Sequence, residues 1–174
     1  MGDQLIAFLP NMRRFAYSLT RTQDKADDLV QAACERALAN AASFAAGTRF
    51  DAWIFRIIRN LHIDQLRRLK TAGPQEDVDE KHDLPGAEGE REAHARLELE
   101  RVQQAIMALP DDQREVLVLV CVEELSYKDA AEALDIPIGT VMSRLARARK
   151  KLSENGGINV SPSRSSHIRD GAGT

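Results

Sequence analysis

The sequence predicts an all-α protein made of two small helical domains joined by a flexible acidic linker. Three observations point there. Apolar residues recur at three- and four-residue steps in two separate stretches, the period of a helix with one buried face. Aromatic residues are only 5% of the 174, few for the strands of a sandwich or barrel, whereas Ala, Leu, Arg and Glu abound. Between the two stretches, Gly, Pro and a crowd of acidic residues break any apolar period.

The first module reads as three helices. Leu5, Leu9, Met12, Ala16 and Leu19 mark the first, in which Pro10 must start a helix or bend one. Asp24 is placed to cap the second, whose stripe is Ala26, Leu29, Val30, Ala33, Ala37 and Leu38. A short loop with Gly47 leads to the third, striped by Phe50, Trp53, Ile54, Ile57, Ile58 and Leu61 and ending near Arg68. Apolar spacing alone accounts for Phe50 and Trp53 as core residues.

Residues 71–95 carry Gly73-Pro74, Pro85-Gly86 and Gly89 and read as the linker. This divides the chain into a first domain at 1–70, a linker at 71–95, a second domain at 96–153 and a tail at 154–174 expected to be disordered. In the second domain Leu99, Val102, Ile106 and Leu109 mark a helix that Pro110 ends. Asp111 or Asp112 then caps another, and its run from Val116 through Val122 is apolar nearly all round, as a buried central helix requires.

Residues 125–152 are the most informative. Ser126-Tyr127-Lys128-Asp129 is a capping-box signature, a serine followed three residues later by a carboxylate. About two helical turns follow, with small residues at Ala130 and Ala131, until Asp135-Ile136-Pro137 breaks the helix. A last helix buries Ile138, Val141, Leu145, Ala148 and Leu152 and turns Thr140, Met142, Ser143, Arg144, Ala146, Arg147, Lys150 and Lys151 the other way. This is a helix-turn-helix whose second helix has the shape and donors to enter a major groove.

Charge is segregated beneath a net −3. Residues 49–70 hold six basic residues against two acidic, and 138–152 hold five against none. Residues 75–92 hold eight acidic against two basic. Two cationic elements flanking a stretch that phosphate repels suit a polyanionic partner. Cys34 and Cys121 stand alone in apolar runs, so reduced thiols are expected. The four histidines show no paired metal-ligand spacing, and no nucleophile elbow, phosphate-binding glycine loop or zinc-protease motif is present. No stretch has the run of ~18 apolar residues that a membrane span needs, nor a signal-peptide pattern, so a cytoplasmic protein without membrane insertion is expected.

Several segments carry a narrower signal. In the first module Asp27-Asp28-Leu29-Val30-Gln31 is followed by Gly47-Thr48-Arg49-Phe50-Asp51-Ala52-Trp53-Ile54-Phe55-Arg56-Ile57-Ile58-Arg59-Asn60 and then Asp64-Gln65-Leu66-Arg67-Arg68. The second carries Ala108-Leu109-Pro110 and Ile138-Gly139-Thr140-Val141-Met142-Ser143-Arg144. In this order and spacing the chain resembles the extracytoplasmic-function sigma factors, the smallest sigma-70-type class, over about 125 of its 174 residues.

The resemblance implies that the first module is a region 2 bundle and the second a region 4 helix-turn-helix. It implies core RNA polymerase as partner, through the β′ clamp helices and the β flap, with Asp27, Asp28 and Gln31 at the docking positions. It places Arg49, Arg56, Arg59 and Asn60 on the −10 element, and gives residues 44–48 the capture of a flipped base. Thr140, Met142, Ser143, Arg144, Arg147, Arg149 and Lys150 fall on the −35 reader. Many members carry Arg or Lys where this chain has Met142, which shifts the expected −35 preference toward a thymine methyl. An anti-sigma factor covering apolar faces between the modules is implied as well. No cofactor, metal or catalytic residue is expected. The rival is a free-standing helix-turn-helix regulator that binds palindromic DNA as a dimer without polymerase.

Overall fold

Helix α1 (Gly2–Thr20) turns Leu5, Met12, Phe15, Ala16 and Leu19 inward, a single face at helical spacing. The computed structural model describes residues 1–44, 49–72 and 90–158. The loop at 45–48, most of the expected linker and most of the expected tail lie outside them. Pro10 is accommodated within α1, which runs on to Thr20 and closes on Arg21 in the left-handed conformation.

Helix α2 (Gln23–Ala39) packs Ala26, Leu29, Val30, Ala33 and Ala37 against α1 and α3 (Phe50–Ala72). From α3 come Ala52, Ile54, Phe55 and Ile58. Phe55 meets Phe15 at 5.0 Å and Phe8 at 5.3 Å between ring centroids, an edge-and-tilt arrangement that suits aromatic quadrupoles. Phe50 and Trp53 are half-buried against this core, and Phe44 meets Trp53 at 5.1 Å with the rings tilted by 54°.

The second module begins with α4 (Glu90–Met107) and continues through α5 (Asp111–Leu117) into a π-helical turn at Val118–Val122. Helices α6 (Tyr127–Leu134) and α7 (Ile138–Gly156) complete it. Its core is Val116, Leu117, Val118, Leu119, Val120, Leu125, Ala130, Ala133, Leu134, Val141, Leu145, Ala148 and Leu152. Burying a residue such as Leu119 or Leu145 removes enough apolar surface to contribute roughly 1.5–3 kcal/mol.

Several expectations need correction. The cap of α2 is Thr22, not Asp24, and its hydroxyl is buried without a partner. Pro110, rather than either aspartate, caps α5, its carbonyl accepting from the Arg114 N–H at 2.9 Å, and the Asp111 carboxylate pairs with Arg114 and Arg21. Helix α3 runs to Ala72, α4 starts within the expected linker, and α7 outlasts the expected domain end. Leu38, Leu99 and Ile138 are exposed rather than buried. Leu109 is buried just past the end of α4. The apolar run after Val116 is helical, but its last turn widens to the π form and leaves Val122 exposed.

The largest difference concerns the two modules together. They pack directly, α3 on α6 and α1 on α5 and the π turn, and their buried residues form one continuous cluster. The apolar faces expected to lie open between the modules are thus covered by each other.

Candidate nucleic-acid interface

The helix-turn-helix forms as its residues dictate. Ser126 Oγ accepts from the Asp129 backbone N–H at 3.1 Å and donates to Asp129 Oδ2 at 2.6 Å, which starts α6. Asp135 takes the left-handed conformation, φ 51°, and Ile136 N–H reaches back to the Ala131 carbonyl. Pro137 then sits at the N-cap of α7, where its missing N–H costs nothing.

On α7, Met142, Ser143, Arg147 and Lys150 are exposed, opposite the buried Val141, Leu145, Ala148 and Leu152. Ser143 Oγ meanwhile donates to the Thr140 carbonyl, and Lys150 lies 3.8 Å from Glu154. Thr140 is half-buried, as is Arg144, whose Nε lies 3.4 Å from Asp112 Oδ2. Arg149 is placed differently from the expected phosphate contact. It turns toward the π turn, with Nη2 3.8 Å from Cys121 Sγ and Nε buried without a partner. Burial pushes the Cys121 thiol pKa up, against the pull of Arg149.

On α3, Arg56 and Asn60 are exposed one turn apart. The other two −10 candidates are occupied. Arg49 pairs with Asp51 beside it and reaches Asp129 of α6, Nη1 to Oδ2 at 2.9 Å. Arg59 pairs with Glu115 of α5 at 3.2 Å. Of the docking candidates on α2, Asp28 and Gln31 are exposed one turn apart, and Gln31 donates to Glu35. Asp27 is half-buried, taken up by Arg13 and Gln23.

The seam between the modules has a consistent polarity that sequence reasoning missed. Arg14, Arg21, Arg49 and Arg59 come from the first module, and Glu123, Asp111, Asp129 and Glu115 answer from the second. The Glu123 side chain is fully shielded and also accepts from Asn11 at 2.6 Å. Arg114 is buried in the seam, donating to the carbonyls of Ser18 and Leu109 and to Asp111. Burial raises the Glu115 pKa despite Arg59, and burial lowers that of His62, which lies near Asp111, Arg114 and Arg59. Burial also opposes ionisation of Asp111, but hydrogen bonds from Arg114 and Arg21 outweigh it and hold its pKa low. Among the described residues, no group of three or more His, Cys, Asp or Glu is placed to hold a metal ion, and no helix is long and apolar enough to cross a membrane.

Two family models match the chain: sigma-70 region 2 over residues 6–71 and sigma-70 region 4 over residues 99–152. Fold and site thus define a two-region protein of the sigma-70 type. An ECF RNA polymerase sigma factor, EcfG of Rhodopseudomonas palustris (strain TIE-1), is 42% identical over 88% of this chain and 83% of its own. SigW of Bacillus subtilis (strain 168), also an ECF RNA polymerase sigma factor, is 35% identical over 87% and 86%. The sigma factor RpoE, solved in complex with the anti-sigma factor NepR from Bartonella quintana, superposes with a TM-score of 0.72. That similarity covers 88% of this chain and 94% of the other at 34% identity. The chain belongs to the ECF sigma factors.

Proposed function

We propose that this chain binds core RNA polymerase and directs promoter-specific initiation, reading a −35 element with α7 and opening the −10 element with α3. The observation that carries the reading is the α7 face itself. Ser143 and Arg147 stand exposed where base edges would lie, and Lys150 stands a turn further on, where phosphate would. Met142 joins them, while Thr140 and Arg144 border the face and Arg149 supports it from behind.

On α3, Arg56 and Asn60 meet the −10 strand, Arg on backbone or base face and Asn on a base edge. Arg49 and Arg59 join them once Asp129 and Glu115 release them, so strand capture requires the module seam to part. Unstacking a base costs a few kcal/mol, which contacts to the captured strand must offset. Sigma factors of this family are not enzymes; the chain spends binding energy and breaks no bond. Asp28 and Gln31 present the polar docking face to the β′ clamp helices, with Asp27 at its edge, and the second module meets the β flap.

An anti-sigma factor is a further partner, supported by the complex in which the similar RpoE was solved. Work beside polymerase places the protein in the cytoplasm, at the nucleoid. The similarity to ECF sigma factors across both regions favours this reading over a dimeric regulator. Size-exclusion with core polymerase tests it. Co-elution and transcription from a linear promoter are expected, and a free dimer that ignores polymerase would contradict it.

A further inference from the structure

The exposed side of α7 is apolar in its first turns and cationic through its middle. Ile138 and Met142, one turn apart, leave 49% and 52% of their surface in solvent, and Ala146 follows exposed at the next turn. The first charged residue of the helix is Arg144, and the exposed cations Arg147, Lys150 and Lys151 come later still. Core packing does not account for the apolar pair, because Val141 and Leu145 supply the buried face.

The cations identify what covers the strip: a polyanion held by Arg147, Lys150 and Lys151, with an apolar feature beside it. In a duplex major groove the one apolar group on a base edge is the thymine C5 methyl. We propose that Ile138 and Met142 form an apolar reader that selects thymines in the −35 element by packing on their methyl groups. The proposal rests on α7 being the −35 helix and deepens that reading. Four residues of helix rise ~6 Å, so the two side chains address thymines within about two base-pair steps of one another, at ~3.4 Å per step. Met142, next to Ser143 and one turn from Ala146, is the main determinant. Ile138, at the first position of the helix, covers the flanking methyl.

The test uses polymerase reconstituted with the full chain. Initiation is first selected from duplexes randomised in the upstream element. Each enriched thymine, on either strand, is then replaced by deoxyuridine, which deletes only the methyl. With the unaltered chain, uridine at one or two positions should lower initiation about three- to tenfold. Met142→Ala should lose that sensitivity at one position and Ile138→Ala at its neighbour. Both residues are exposed, so the variants should keep the helical circular dichroism of the parent. Selection of an upstream sequence that is indifferent to uridine at every thymine would overturn the methyl reader while leaving the −35 reading standing. So would a Met142→Ala variant as sensitive to uridine as the parent. No upstream preference at all, with Arg147→Ala also without effect, would overturn the −35 reading and this inference together.

Discussion

Arg59 of α3 and Glu115 of α5 form an ion pair across the two modules, Nε to Oε2 at 3.2 Å, with 16% and 12% of their side chains in solvent. A pair so shielded is held in register by packing on both sides, and removing one member strands the other. We expect Arg59→Ala to destabilise the folded chain by about 2–4 kcal/mol, slightly below the range for fully buried pairs because some solvent reaches it. Glu115→Gln should cost less. A double-mutant cycle by urea unfolding should give a coupling above about 0.5 kcal/mol, whereas additive effects would show that the pair contributes nothing beyond its parts.

Arg114 should be less replaceable still. Its guanidinium serves four acceptors on two modules, Ser18 O, Met107 O, Leu109 O and the Asp111 carboxylate. Lysine keeps the charge but not the planar fork, so Arg114→Lys should leave at least one buried carbonyl unpaired and cost about 2–3 kcal/mol. Urea midpoints at constant m-value measure this, and a loss below about 0.5 kcal/mol would refute the role.

His62 gives the seam a pH dependence. Burial lowers its pKa, Asp111 opposes, and Arg114 and Arg59 add to the lowering. The folded chain therefore binds this proton more weakly than the unfolded chain does. The stability is fully present above the ordinary histidine value of ~6.5 and is lost as pH falls below it toward the depressed folded value. His62→Gln should flatten this dependence. Glu115, whose raised pKa acts in the opposite sense, is common to both proteins and cancels in the comparison. Melting temperatures taken at about pH 7.5 and 5.5 should fall further for the parent than for the variant. Equal falls would remove His62 from the account.

Arg147 and Arg149 lie two positions apart and should behave differently. Arg147→Ala, on the exposed face, should weaken −35-dependent initiation with little change in stability. Arg149 lies against Cys121, so Arg149→Ala should lower the melting temperature and affect initiation mainly through that loss. Promoter output and thermal melts on both variants separate the roles, and reversed effects would overturn the assignment.

Much of this was legible in the sequence because it depends on neighbours. The stripes of α1, α2 and α7, the Ser126 cap and the break at Pro137 each follow from residues within one or two turns. The seam was not legible. Its ion pairs join residues 56 to 109 positions apart, and nothing local marks Arg14 or Arg59 as cations that another module will neutralise. Asp111 looks like a helix cap until Arg114 and Arg21 claim its carboxylate. Ile138 is exposed although it falls on the apolar stripe, because periodicity does not distinguish the first residue of a helix from one a turn deeper.

The central claim is that one chain, docked on polymerase, opens DNA through α3 while α7 holds the duplex upstream. Permanganate mapping of unpaired thymines on linear promoter fragments, with core polymerase and the full chain, tests it most directly. Reactive thymines should appear over the −10 element only when both proteins are present, and Asn60→Ala should reduce them about tenfold while leaving closed-complex binding intact. Binding without polymerase at a palindromic site, with no reactive thymines under any condition, would contradict the account.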